Sequence, residues 1–168
     1  MPRRAEDVRT LATCLDAVAR ERSLTIRLVR DAGTFVRAQA EGFLGAGLSI
    51  DIVYEGTPDI EPPPAPIDGV VVESLTDLRA AKLTCILSRS EPRDLVDLMF
   101  LERAGYPPEA DLAIALQKDG GIDPGILAWL LSQFPLTPLP MMLGPLTVEE
   151  LREYRDRLGA RFRALAVP

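Results

Sequence analysis

The spacing of apolar residues along this chain changes twice, and the changes mark off a helix, a small sheet and a helical second half. Over residues 5–21, Val8, Leu11, Ala12, Leu15, Val18 and Ala19 recur at helical spacing, which predicts an amphipathic packing helix. Residues 24–29 and 34–40 are strand-like, and the Asp31-Ala32-Gly33 turn tract between them predicts a hairpin. Residues 42–47 break the pattern. In residues 48–54, Leu48, Ile50, Ile52 and Tyr54 alternate with Ser49, Asp51 and Val53, which predicts a third strand. The Pro-rich stretch 57–68, TPDIEPPPAPID, excludes a helix or central strand, because proline donates no backbone hydrogen bond. It reads as a crossing loop rather than a domain linker, since the strand-like residues 69–72 follow at once.

The period then becomes helical. Ser74 with Asp77 three residues on is a capping-box-like start, so Leu75 opens a helix. Leu75, Leu78, Cys85 and Ile86 share one face of it, and Lys82 and Arg89 fall on that face. Two cations in an apolar stripe need partners, because isolated buried charge is costly. Pro92 suits the first position of a second helix. That helix runs Leu95, Val96, Leu98, Met99, Phe100, Leu101, apolar almost all round, with Asp97 inside the run. Gly105-Tyr106-Pro107-Pro108 ends it. Residues 109–118 predict another helix, which Asp119-Gly120-Gly121 stops, and Asp123-Pro124 starts the next, to about residue 134. Residues 135–145 are irregular. Thr147 with Glu150 is a capping box opening a helix over residues 148–165, with an apolar line of Val148, Leu151, Tyr154, Leu158, Phe162 and Leu165. Its arginines (152, 155, 157, 161 and 163) predict a solvated face beside its acids, with phosphate contact as the alternative. The architecture expected is α+β in one domain over residues 1–168, with a helix-plus-sheet part at 1–73 and a helical part at 74–168.

Composition narrows the chemistry. The hydrophobic share of 47% and charged share of 26% are those of an ordinary globular protein. A net charge of −6 argues against broad nucleic-acid binding, which rests on many phosphate contacts; DNA is not indicated, although a local basic cleft stays open. The chain has no histidine, so neither Ser-His-Asp nor Cys-His catalysis nor a His-ligated metal can be built within it. Cys14 and Cys85 are isolated and have no metal-type spacing. No apolar run approaches the roughly 20 residues of a membrane span. The start MPRRAEDV lacks an apolar signal core, so a cytoplasmic location is expected.

The remaining charges form the pattern K-x6-R-x3-R-D-x2-D at Lys82, Arg89, Arg93, Asp94 and Asp97. Phosphoryl and nucleotidyl transfer need cations placed on developing negative charge and little covalent help from the protein. Lys82 suits a triphosphate contact; Arg89 and Arg93 suit the same task or the orientation of Asp97. Blander readings stand beside these. Asp94 falls at the third helical position, where a carboxylate caps backbone N–H groups, and Asp97 is spaced to pair with Arg93 at i, i+4. By themselves the five residues read as a buried ionic network. Asp51, central in an apolar strand, is either a solvent-facing edge residue or a carboxylate presented toward a metal.

The segment SLTDLRAAKLTCILSRSEPRDLVDLMFL resembles the C-terminal signature of the AbiEii/AbiGii toxin family of nucleotidyltransferase-like proteins. There a Ser-Leu-x-Asp-Leu start leads to Lys-Leu-x-Ala and then Arg-x-x-x-Arg-Asp-x-x-Asp-Leu. The resemblance is carried by residues 48–105, and beyond them only by general pattern. It implies a small mixed sheet flanked by helices, with a mostly helical C-terminal half. It implies Mg2+-dependent transfer of a nucleotide from an NTP to an acceptor such as tRNA or another RNA, in a system with an antitoxin partner. By the same resemblance Asp51, Lys82 and Asp97 are catalytic, Asp51 holds the metal, and Lys82, Arg89, Arg93 and Asp94 contact the nucleotide. The family's Gly-Gly-Ser/Thr turn and metal-holding Asp-x-Asp pair have no counterpart; in the nearest echo, residues 3–9, Arg9 stands where the second Asp would be. The chain therefore resembles the C-terminal two-thirds of a family member, truncated, degenerate or completed by another chain, and is expected to be weak or inactive alone. A non-catalytic module that binds a nucleotide, an RNA or a protein partner is the alternative, and a fragment with purely structural charge braces the third reading.

Overall fold

The computed structural model describes residues 5–42, 47–54, 56–141 and 145–166. The expected break at 42–47 and the echo at 3–9 fall partly outside them. The fold is α+β. The elements are α1 (Ala5–Glu21), β1 (Thr25–Asp31), β2 (Phe35–Glu41), β3 (Leu48–Val53), α2 (Leu75–Ser88), α3 (Pro92–Arg103), a 3-10 turn (Pro108–Asp111), α4 (Leu112–Lys118), α5 (Pro124–Ser132) and α6 (Val148–Leu165). They fall into two compact units, Met1–Thr57 and Pro58–Pro168, and the division lies inside the Pro-rich stretch.

In the first unit the three strands form a sheet in the order β1-β2-β3, antiparallel at both pairings, not mixed. The central strand β2 alternates strictly. Val36, Ala38 and Ala40 are buried, while Arg37 points to the other face. Val8 and Ala19 of α1 are also buried. In β3, Ile50 and Ile52 pair with Ala38 and Val36 and share their face, so Asp51 projects from the opposite one.

The second unit is helical among the described residues. The expected strand at 69–72 does not form. Asp68 and Gly69 both take positive φ (50° and 79°), and the chain turns back on itself in an Ile67–Val70 bridge. An Asp-Gly pair favours this tight turn over an extended run. Helix α2 starts where its capping signal places it. Ser74 accepts from the Asp77 N–H at 3.0 Å, and its hydroxyl donates to Asp77 Oδ2 at 2.7 Å, which closes the box through the hydroxyl. Its buried line is Asp77, Ala80, Leu83 and Ile86. The stripe expected through Leu75 and Leu78 is exposed instead, at 43% and 37%. The core is built from Leu83 and Ile86 of α2, Leu95 and Leu98 of α3, Leu127 and Leu131 of α5, and Leu151, Leu158 and Phe162 of α6. Helix α6 lies against α5 at Gly159, where a Cβ would meet Leu131 Cβ at 3.6 Å, an ordinary contact.

Candidate functional site

The connection between α2 and α3 is only three residues long. Arg89 caps α2, Ser90 turns the chain at φ 47°, and Glu91 and Pro92 open α3. So tight a turn sets the last two turns of α2 against the first two of α3. The cations of one helix then face the carboxylates of the other.

Asp94 lies in the first turn of α3 and is completely buried. Arg89 donates to it twice, Nε to Oδ2 at 2.8 Å and Nη2 to Oδ1 at 2.7 Å. This fork-on-carboxylate geometry is the strong form of an ion pair. It holds the Arg89 guanidinium above its ordinary pKa against the opposing effect of burial. The α3 N-cap Glu91 makes no side-chain capping bond. Asp94 serves as a tertiary ion-pair partner, beyond the helix-start role its position suggested. Lys82, two turns before Arg89 on α2, places its Nζ 2.5 Å from Asp97 Oδ2 and 3.6 Å from Asp94 Oδ1. The side chain of Lys82 is 22% exposed and that of Asp97 43%. Cys85 sits one turn from both cations. Burial, and then the Asp94 carboxylate beside it, push its thiol above the ordinary value despite Arg89 and Lys82. It therefore stays a thiol at neutral pH, unsuited to act as a nucleophile.

Lys82, Arg89, Asp94 and Asp97 are thus brought together. Arg93 stands apart, 55% exposed and paired with Glu91 at 2.6 Å. The expected Arg93–Asp97 brace is not made: Asp97 takes its cation from α2, because the facing helix offers an ammonium where the i, i+4 neighbour points outward. Asp51 belongs to the first unit. It lies directly across the ladder from Arg37, which donates to it at 2.7 and 2.6 Å, and both side chains are exposed.

Two polar networks of the second unit escape sequence reasoning. Asp77, read from its spacing only as a cap, also accepts from the N–H groups of Ile60 and Glu61 (2.8 and 3.0 Å) and pairs with Lys118 at 2.8 Å. It thereby ties the Pro-rich stretch to α2. Burial works against its charge, yet Lys118, Ser74 and these N–H groups together hold the carboxyl well below the usual carboxylate range. Arg79 is clamped on buried Asp111 and stacks over the Tyr106 ring at 4.7 Å. Only the Ser74–Asp77 spacing gave any local signal for either network.

A family model described as the nucleotidyl transferase AbiEii toxin of type IV toxin–antitoxin systems matches residues 3–166. The chain belongs to the AbiEii toxin family. No curated protein and no solved structure matches it. The AbiEii match runs well beyond residues 48–105, where the motifs lie, and takes in both units. Nucleotidyl transfer and toxin–antitoxin biology are therefore the family context of the Lys82 cluster. No helix among the described residues of this AbiEii-family chain is long and apolar enough to cross a membrane.

A divalent metal accompanies nucleotidyl transfer generally, with two carboxylate-held ions as its common arrangement. Among the described residues no group of three acidic or cysteine side chains is placed to hold one. Asp94 and Asp97 are already matched by Arg89 and Lys82, and Asp51 by Arg37. The described residues do not by themselves fit a metal.

Proposed function

We propose that this chain, the toxin half of a toxin–antitoxin pair, binds a nucleoside triphosphate where Lys82 meets Asp97, and that transfer of the nucleotide to an RNA acceptor such as tRNA, the family activity, needs metal-holding carboxylates beyond those of the described residues. The observation that carries the reading is the inequality of the two Lys82 contacts. Its ammonium is 2.5 Å from a half-exposed carboxylate and 3.6 Å from a buried one. A half-exposed pair contributes only about 0–1 kcal/mol. A triphosphate oxygen can therefore replace Asp97 at small cost, while a deeply buried partner would hold the lysine back. Lys82 then supplies positive charge to a phosphate, and Asp97, released, becomes an acceptor beside it. Arg93, exposed next to the cluster, is a second phosphate contact in this reading. Asp51 keeps the metal-carboxylate role that the family resemblance gives it, as a separate proposal. Mg2+ and an antitoxin enter on the same ground.

The described residues supply no acidic trio, so the chain alone is expected to transfer nucleotide weakly or not at all. Incubation with labelled NTPs, Mg2+ and total tRNA tests this. Robust transfer that survives Lys82→Ala and Asp51→Ala would sink the assignment. The same observation favours a second reading, a non-catalytic module that binds a nucleotide, an RNA or a partner. Nucleotide binding of equal strength in Mg2+ and in EDTA, with no label transferred, would select it.

A further inference from the structure

The chain contains 17 arginines and only two lysines, Lys82 and Lys118. Both lysines reach a completely buried aspartate, but in different ways. Lys118, 8% exposed, pairs with Asp77 at 2.8 Å. Lys82 stands 3.6 Å from Asp94, beyond a normal hydrogen bond, and gives its close contact to Asp97. The difference between the two is a second cation. Both oxygens of Asp94 accept from the Arg89 fork, whereas the other donors to Asp77, the Ser74 hydroxyl and the N–H groups of Ile60 and Glu61, are all neutral and leave Lys118 its only cation.

We propose that Arg89 and Asp94 are a positioning pair: Arg89 matches the charge of the buried carboxylate so that Lys82 is held near it but left on the outer partner, Asp97. A bare buried carboxylate is costly and takes whatever cation it can reach. With Arg89 in place, Asp94 attracts Lys82 through charge without engaging it. With Arg89 gone, the nearest ammonium is Lys82, and the lysine turns inward, as Lys118 does on Asp77. An ammonium on a flexible four-carbon stem makes such a turn readily. In this account Arg89 and Asp94 do not touch the nucleotide; they act through Lys82, the group that does.

The proposal rests on the reading of Lys82 as a phosphate contact, but its test needs no nucleotide. Trace reductive methylation of the full chain, with the modified peptides weighed by mass spectrometry, reports the accessibility of each lysine, and Lys118 is the internal reference. In Arg89→Gln the methylation of Lys82 is expected to fall by about tenfold or more, the effect of one new charge-assisted hydrogen bond, with Lys118 unchanged. In Arg89→Gln/Asp94→Asn the buried charge is gone and the Lys82 rate is expected to return to that of the wild type. Asp94→Asn alone is expected to leave the rate equal or higher, and it decides the matter should Arg89→Gln not fold. A Lys82 rate unmoved by Arg89→Gln, a double variant as slow as the single one, or slower Lys82 methylation in Asp94→Asn would overturn the proposal. So would a parallel change at Lys118, which would make the pair a brace of the whole fold. NTP titration of the same variants should follow the methylation pattern. If wild type binds no NTP while the methylation pattern holds, the phosphate reading fails and the positioning pair stands.

Discussion

Lys82 on α2 and Asp97 on α3 meet at 2.5 Å on a partly open rim, although both fall within apolar stretches of sequence. Fifteen residues apart in the chain, they are neighbours because the α2–α3 turn is three residues long. Removing Lys82 still leaves Asp94 its Arg89 fork, so no buried charge is stranded. Lys82→Met should shift unfolding stability by no more than about 1 kcal/mol, the scale of a half-exposed pair. Urea unfolding checks this. A loss above about 3 kcal/mol, the scale of a broken buried pair, would make Lys82 a structural brace.

Asp77 and Lys118 behave in the opposite way. Lys118→Met strands a completely buried carboxylate and should cost about 3–5 kcal/mol. The pH dependence has a definite sign. The pKa of Asp77 is lower folded than unfolded, so its contribution is complete above the unfolded value of about 3.9 and is lost as pH falls from there toward the folded value. Urea midpoints measured from pH 6 down to pH 2 should fall steeply at the acid end. The acid limb should be shallower in Asp77→Asn, and an equally steep limb would remove Asp77 from the account.

Asp51 offers a cleaner separation of structure from chemistry. Its pair with Arg37 is exposed on both sides, so Asp51→Ala should change stability by about 0–1 kcal/mol. If the metal role holds, the same substitution abolishes any Mg2+-dependent step. Unchanged Mg2+ dependence in a folded Asp51→Ala protein would leave Asp51 a cross-strand partner alone.

The α5–α6 contact can be tested at Gly159. A Cβ there meets Leu131 at ordinary contact distance, 3.6 Å. Gly159→Ala should therefore gain most of the helix-propensity difference, about 0.8–1 kcal/mol. Thermal melts should show Gly159→Ala unfolding above wild type, and a lowered midpoint would contradict the open contact at Leu131.

What the sequence disclosed was local. The caps at Ser74 and Thr147, the Pro92 start and the 3.6-residue periods place both ends of α1 and α6 and the starts of α2 and α3 within a residue or so, because each signal acts within one turn. The hairpin was legible from the Asp31-Ala32-Gly33 turn tract, and β3 from alternation. Errors arose where a tertiary contact outweighed a local one. Ala80 is too small to advertise a core position, so the buried face of α2 was read through Leu75 and Leu78 instead. Residues 69–72 looked strand-like until the Asp68-Gly69 turn is considered. Asp97 had a suitably spaced arginine on its own helix, yet paired with a lysine on another. Of the candidate site, Lys82, Arg89, Asp94 and Asp97 do converge; that Asp94 is the buried hub and Asp97 the exposed partner is a matter of depth, which one-dimensional spacing does not encode.

Whether Lys82 holds a triphosphate is decided by calorimetric titration of ATP, CTP, GTP and UTP, in Mg2+, into wild type and Lys82→Met. At least one NTP is expected to bind wild type, and Lys82→Met, folded and of similar stability, to lose about tenfold or more in affinity, as expected for one charge-assisted contact. Equal affinity for the two proteins, or no NTP binding by wild type, would contradict it.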